Sequence, residues 1–384
     1  MLVETMKENI RQAYQQGDLK TALLIAEDSL LKYPRDIWFH SLTGELLMRI
    51  VQTADAVTTL HFVLKGNADA YSSRLVLAHL LDKNGEQKKA FKAYLYALKS
   101  ANSFGFWLDN DSTPHWCRPL VIHAVNYAER YRKEVMNDWL DELNNKYGKS
   151  ELVRVDAGIR MYSGAIPLDI EDKRQNPNFL YIPGLPVRPM FDRKELPFAD
   201  YYEDQYPIIL GELEAMLADK TDIPAYTEHV QGNALTAGGN WDALFFFRHG
   251  KKYDETHQLC PKTSAILANL PLVHIADHSP EACFSVLRPQ AHILPHRGVT
   301  NSRCVLHMGL KIPEHCRLNL CGIGELEWQS GKIFLFDDTY LHEAWNRSDE
   351  SRYVLLADVW NPFLSETEIA AITDFVEMVG ELNN

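Results

Sequence analysis

The chain has 384 residues, of which 46% are hydrophobic and 24% charged, and its 39 Lys and Arg against 52 Asp and Glu give a formal net charge of -13. That length accommodates two domains, each with its own core, and the composition is that of an ordinary soluble globular protein. So acidic a balance excludes a phosphate-binding face as the main surface, so neither nucleic acid nor an anionic membrane is an expected partner.

The opening MLVETMKENIRQAYQQGD lacks a basic stretch followed by an apolar one, and no apolar run reaches bilayer length. Cys117, Cys260, Cys283, Cys304, Cys316 and Cys321 are scattered without a CxxC pair, a pattern that fits a reducing compartment. A cytoplasmic protein is expected. Cys316 and Cys321 are close in sequence, but two thiols on a strand pair are more simply small buried apolar residues than metal ligands.

The first hundred residues repeat. Gly17 and Gly85 lie two steps of 34 apart, and Ala22, Ala56 and Ala90, like Leu30, Leu64 and Leu98, lie one step apart. Thirty-four residues is the length of a tetratricopeptide (TPR) unit, two antiparallel helices packed through small residues. Helix pairs are therefore expected over 1–35, 36–70 and 71–104, the first ended by Pro34, so that residues 1–104 resemble a TPR solenoid. Val51 stands where the middle unit would carry its glycine, and a plain helical bundle is the alternative.

Asn102 to Trp116 has the composition of a loop, after which helical spacing resumes at Leu120 and runs to about Asn145. Residues 105–170 are expected to extend and cap the helical array. Within them His115, Trp116 and His123 read as core or rim residues beside aromatics. Residues 171–198 form a linker by composition, charged and then punctuated by Pro183, Pro186, Pro189 and Pro197, whose fixed backbone suits a path wrapped along the next domain. A helix is expected from Tyr206 to Leu217.

From Trp241 onward, short runs rich in β-branched and aromatic residues recur between turn residues: Trp241 to Phe247, Cys283 to Leu287, Cys304 to Ile312, Arg317 to Cys321, Lys332 to Phe336 and Tyr353 to Val359. Many short strands of this kind indicate a sandwich or barrel. The expected architecture is thus multidomain α and β, an N-terminal helical solenoid followed over 199–384 by a double-stranded β-helix, the jelly roll of cupin-like proteins.

Two strand edges in this region carry histidine. His296 follows the apolar His292-Ile293-Leu294, and His342 follows Lys332–Phe336 and its Asp337-Asp338 turn. Two imidazoles from non-adjacent strands are what a mononuclear iron site requires. Arg352 opens a further apolar strand and could clamp a carboxylate in the same barrel mouth through two parallel hydrogen bonds.

The segments HRGVTNSR, HMGLKIP, WQSGKIFLFDD, HEAWN and SRYVLLADVWNP, with YIPGLPVRPMFD and NWDALFFFRHGK upstream, resemble in order and spacing the aspartyl/asparaginyl β-hydroxylases. These are iron(II)- and 2-oxoglutarate-dependent oxygenases. The resemblance covers roughly Asn178 to Pro362. It implies His296 and His342 as the metal ligands and a hydroxylation that consumes 2-oxoglutarate and dioxygen and releases succinate and carbon dioxide. It further implies that Arg352 and Ser285 hold the distal carboxylate of 2-oxoglutarate and that His307 helps hold the carboxylate near the metal.

The usual third iron ligand is a carboxylate two residues after the first histidine, where this chain has Gly298. The resembled family shares this two-histidine arrangement, while Asp337, Asp338 and Glu343 are the rival carboxylates. The family's arginine two residues before His307 is replaced by Val305, which removes a charge-assisted bond of about 1.5 to 3 kcal/mol. Arg303, on the same strand face, is the candidate to replace it. Arg297, Asn301, Trp345, Asn346 and Arg347 flank the two histidines where a polar substrate could be read. The expected substrate is the β-carbon of an aspartyl or asparaginyl residue in a peptide or protein, or a related small molecule, with a protein partner for the helical groove. The rival readings are a TPR-type binding scaffold with a catalytically degenerate barrel, and a jelly roll with other oxygen chemistry, such as a cupin-type isomerase.

Overall fold

The computed structural model describes residues 2–219, 223–225, 229–230, 233–234 and 240–383. The chain divides into two compact units, one reaching Val135 and the other running from Met136 to Leu382. Among the described residues no helix is long and apolar enough to cross a membrane.

The first unit is helical: α1 (Leu2–Gln15), α2 (Leu19–Lys32), α3 (Ile37–Ile50), α4 (Ala56–Gly66), α5 (Tyr71–Lys83), α6 (Gln87–Ser103) and the first part of α7 (Arg118–Tyr147). Asp18 and Asp36 start α2 and α3 by accepting backbone N–H groups that have no partner inside the helix. Gly17 and Gly85 turn the chain at φ of 77° and 78°, a region open to glycine at no steric cost. Val51 instead ends α3 in a right-handed conformation, φ -57°, so the middle turn needs no glycine. Ala22, Ala56 and Ala90 are all buried. The first part of α7 packs on α6 through Phe91 against Tyr131, 4.7 Å between ring centroids, and Tyr94 against Tyr127, 5.2 Å.

Glu27 on α2 is 1% exposed, and its Oε1 accepts both the backbone N–H and the hydroxyl of Ser73, at 2.7 and 2.6 Å. Burial pushes its pKa up to about 7 against the pull of those two bonds. A carboxyl raised in the folded state adds stability at low pH and loses it as pH rises through the folded value. Helical unfolding in urea, followed by circular dichroism, should therefore be harder at about pH 5 than at about pH 8, by up to roughly 3 kcal/mol. Glu27→Gln keeps an acceptor for Ser73 and should flatten that dependence; an unchanged pH profile would show that Glu27 is already ionised in the folded chain.

In the second unit the rest of α7, α8 (Val153–Tyr162) and the C-terminal α13 (Glu366–Asn383) share a core with Leu180, Ile182 and Leu185 from the proline-rich stretch. That stretch is thus packed into this unit, and Asn301 pins it by accepting from Ile182 N–H at 2.7 Å and donating to Ile182 C=O at 2.9 Å. The expected capping extension is divided, since Met136 onward belongs here.

The remaining helices are α9 (Ala199–Asp204), α10 (Tyr206–Ala218), α11 (Asp254–Leu259) and α12 (Pro261–Leu267). The strands are β1 (His229–Val230), β2 (Asn233–Ala234), β3 (Trp241–Arg248), β4 (Lys251–Lys252), β5 (Ala282–Leu287), β6 (His292–His296), β7 (Arg303–Lys311), β8 (Cys316–Leu320), β9 (Gly324–Leu326), β10 (Ile333–Phe336), β11 (His342–Asn346) and β12 (Arg352–Trp360). Apart from the β1–β2 ribbon they form two antiparallel sheets, ordered β10-β7-β12-β5-β3-β4 and β6-β11-β8-β9. From β5 to β12 the chain passes from one sheet to the other at every connection except the β8–β9 hairpin, which is the jelly-roll arrangement expected. Period-two alternation explains the layering. On β7, Cys304, Leu306 and Met308 face the helix-covered core with Ile209, Leu213 and Leu267, while Val305 faces the space between the sheets with Trp241, Leu318, Trp328 and Val354.

Candidate active site

Strands β6 and β11 pair antiparallel with His296 opposite His342, which sets the two rings 4.1 Å apart. Each ring is oriented in the same way: Nδ1 bonds the carbonyl two residues back, Leu294 for His296 at 2.8 Å and Tyr340 for His342 at 2.9 Å. A carbonyl can only accept, so Nδ1 carries the proton and the lone pair lies on Nε2, the form in which imidazole binds a metal. Burial, and then the neighbouring His296, lowers the pKa of His342 to about 3, so it stays neutral at physiological pH.

Of the rival carboxylates, Asp337 is engaged by Thr339 and Gln175, and Glu343 by His292 and Asn319. Asp338 is different. A side chain at Gly298 would begin 2.0–2.2 Å from its carboxyl atoms, so Asp338 fills the place that a carboxylate at 298 would need. Gly298 N–H donates to its backbone oxygen at 2.6 Å, and Arg303 pairs with Oδ2 at 3.0 Å, while Oδ1 is buried without a hydrogen-bond partner among the described residues. Burial raises its pKa to about 7, against the pull of Arg303. The two neutral imidazoles, each with Nε2 free of the backbone bond that holds Nδ1, are donors that fit iron(II).

Deeper between the sheets, Arg352 is 1% exposed and lies over the Trp328 ring at 4.8 Å. Ser285 accepts one of its N–H groups at 3.4 Å and the indole N–H of Trp241 at 2.9 Å. No carboxylate among the described residues compensates Arg352. Burial lowers its pKa to about 10, and the acidic groups that oppose this are the thiols of Cys316 and Cys283. Its Nε is buried without a hydrogen-bond partner among the described residues. His307 on β7 accepts the Trp328 indole N–H on Nδ1 at 3.1 Å, which leaves its Nε2 carrying the proton. Burial, then Arg352 and His342, hold its pKa well below the usual value, so the ring is neutral.

Several expected side chains have other partners. Arg303 is tied to Asp338 and Asp358, at 3.0 and 2.8 Å, and so does not replace the guanidinium missing at Val305: its charge is already spent on two carboxylates. Asn301 is 1% exposed and bonds the backbone of Ile182; Asn346, fully buried, bonds Leu287 and Glu350 carbonyls. Arg297 donates to the carbonyls of Arg174 and Thr339, and Arg347 lies over Trp345 at 4.5 Å. These contacts make them supports of the loops around the site. The residue that sequence reasoning had not singled out is Trp328, which touches both Arg352 and His307; only its place at the head of WQSGKIFLFDD marks it.

Residues 203–362 match the family model of the aspartyl/asparaginyl β-hydroxylases. The chain is 32% identical over 180 residues to the ornithine lipid ester-linked acyl 2-hydroxylase of Rhizobium tropici, a match covering 46% of this chain and 62% of that protein. It is 30% identical over 241 residues to aspartate β-hydroxylase domain-containing protein 2 of Rattus norvegicus, covering 62% and 68% of the two chains. Human aspartyl/asparaginyl β-hydroxylase is 31% identical over 132 residues, 34% of this chain but 17% of that one. The match thus spans less than two thirds of the Rhizobium protein and a small part of the human hydroxylase. On the order of its motifs and these matches, the chain belongs to the aspartyl/asparaginyl β-hydroxylase family.

Proposed function

We propose that the barrel is an iron(II)- and 2-oxoglutarate-dependent dioxygenase that hydroxylates an unactivated C–H bond. The observation that carries this reading is Arg352, a guanidinium buried with no carboxylate partner among the described residues and packed on Trp328, whose indole N–H also holds His307. An isolated buried charge is costly unless a ligand pairs with it. A dicarboxylate reaching from the histidines to Arg352 supplies that pair, and a carboxylate takes two parallel N–H bonds from a guanidinium.

In this proposal His296 and His342 hold iron through Nε2, and Asp338, paired with Arg303, occupies the space that a carboxylate at position 298 would need. Bound iron(II) supplies activation of dioxygen at the expense of 2-oxoglutarate, with succinate and carbon dioxide as co-products. Arg352 and Ser285 grip the distal carboxylate, and His307 donates from Nε2 to the carboxylate nearer the metal. Val305, Trp328 and Phe336 form the apolar wall that keeps water from the reacting centre. With valine at 305 the co-substrate rests on fewer charged contacts, so its affinity depends heavily on Arg352.

The proposed target is the β-carbon of an aspartyl or asparaginyl residue in a peptide or protein, or a small polar molecule of similar chemistry. The period of 34 and its buried alanines support a TPR-like array over residues 1–104 that holds a protein partner or substrate, and six cysteines without a disulfide suit the cytoplasm. Anaerobic reconstitution with iron(II), then 2-oxoglutarate, is expected to produce the weak visible metal-to-ligand charge-transfer band, and His342→Ala to abolish it. A folded wild-type chain that shows no band at saturating 2-oxoglutarate would overturn the oxygenase reading in favour of a binding scaffold.

A further inference from the structure

A second group of metal-ligating side chains lies in the helical unit. His79 and Asp82 stand three residues apart on α5, hence on one face of the helix, and His123 reaches them from α7; one ligand atom from each lies within 4.8 Å of the other two. His123 Nε2 is 2.9 Å from Asp82 Oδ2, and the rings of His79 and His123 meet edge to face at 5.6 Å. Read from the sequence, His123 was a rim residue. The fold makes it the third corner of a cluster.

We propose that His79, Asp82 and His123 form a zinc(II) site that clips α5 to α7. Two imidazoles and a carboxylate are a donor set zinc accepts, with water at the fourth position of a tetrahedron. Bonds of about 2.0–2.1 Å place tetrahedral ligands roughly 3.3 Å apart, so the trio closes by small side-chain rotations. The site already has an outer shell: the hydroxyl of Tyr94, a fully buried residue on α6, lies 3.4 Å from His79 Nδ1. With that hydroxyl accepting from Nδ1–H, Nε2 of His79 keeps its lone pair for the metal. Burial and neighbouring Lys83 and His123 lower the pKa of His79 while Asp82 opposes them, which favours the neutral ligand form. The side chain of His123 is 42% exposed and that of Asp82 23%, so an ion reaches the site from solvent without opening the fold. An exposed His–Asp pair by itself contributes little to stability, whereas a shared ion fixes two helices that are not adjacent in the chain.

The test uses the full chain with His296→Ala and His342→Ala, which removes the barrel histidines, and titrates it with cobalt(II) and zinc(II). One equivalent of cobalt is expected to give the visible absorption of a four-coordinate ion, to be displaced by zinc, and to raise the melting temperature of the helical transition. Adding His123→Ala should weaken binding by roughly 100-fold or more and Tyr94→Phe by about tenfold, as outer-shell losses do. Asp82→Asn, nearly isosteric, provides a ligand change that leaves packing intact, and circular dichroism without metal checks the fold of each variant. Failure of the barrel variant to bind either ion at micromolar concentration, or binding unaffected by both His123→Ala and Asp82→Asn, would overturn the proposal.

Discussion

Arg352→Met is expected to make the ligand-free chain more stable and at the same time nearly blind to 2-oxoglutarate. The guanidinium is taken out of water by the fold with a 3.4 Å bond to Ser285, the face of Trp328 and, among the described residues, no carboxylate beside it. Replacing an uncompensated buried charge by an apolar side chain of similar length relieves its desolvation, a gain of about 1–3 kcal/mol. The same guanidinium is the proposed grip on the distal carboxylate, and truncating one partner of a buried charge pair costs about 2–5 kcal/mol, or roughly 30- to 4,000-fold in affinity. Urea midpoints without ligand and calorimetric titration of the manganese(II)-loaded chain with 2-oxoglutarate separate the two effects. Unchanged 2-oxoglutarate affinity would remove Arg352 from the co-substrate site. Lower stability would mean that the Trp328 and Ser285 contacts outweigh the desolvation of the charge.

Gly298→Asp, the substitution that restores the common two-histidine, one-carboxylate pattern, is expected to fail. Its Cβ would lie 2.0–2.2 Å from the Asp338 carboxyl, and that group cannot easily withdraw, being buried and paired with Arg303. Overpacking together with two carboxyls in one space should cost about 3–5 kcal/mol and abolish metal binding. Adding Asp338→Ala to Gly298→Asp vacates the place and should recover most of both losses, a strong coupling of the kind neighbouring sites show. Arg303 keeps Asp358 as a partner in that double variant. Urea unfolding and metal stoichiometry of the four proteins make the cycle. If Gly298→Asp alone binds metal as well as the parent, Asp338 turns away from the site, and its assignment to the metal's surroundings falls.

Much of the fold was legible because local rules and tertiary structure agree. The runs rich in β-branched and aromatic residues over Trp241 to Phe247 and Tyr353 to Val359 became β3 and β12, with no boundary moved by more than one residue. The helix expected from Tyr206 to Leu217 runs from Tyr206 to Ala218. The proline-rich stretch, read as a linker with a path wrapped along the next domain, places Leu180, Ile182 and Leu185 in the core of the second unit. Proline excludes helix without saying whether an extended segment is buried.

In the site, residue types gave the chemistry and the fold gave the partners. Two histidines at strand edges, an arginine opening a strand and a glycine where a carboxylate is common could be read without coordinates. Which carboxylate lies beside Gly298, and that Arg303 is tied to two aspartates while Arg352 has none, could not. Asn301, Asn346 and Arg297 are polar residues near the histidines on the string, and in space they hold the backbone. The sequence by itself determined the strand and helix periods and the family, because these depend on residues near one another in the chain. Only the tertiary structure decided the charge balance of each buried group and the meeting of His79 and Asp82 with His123, because those depend on contacts across many tens of residues that no local spacing encodes.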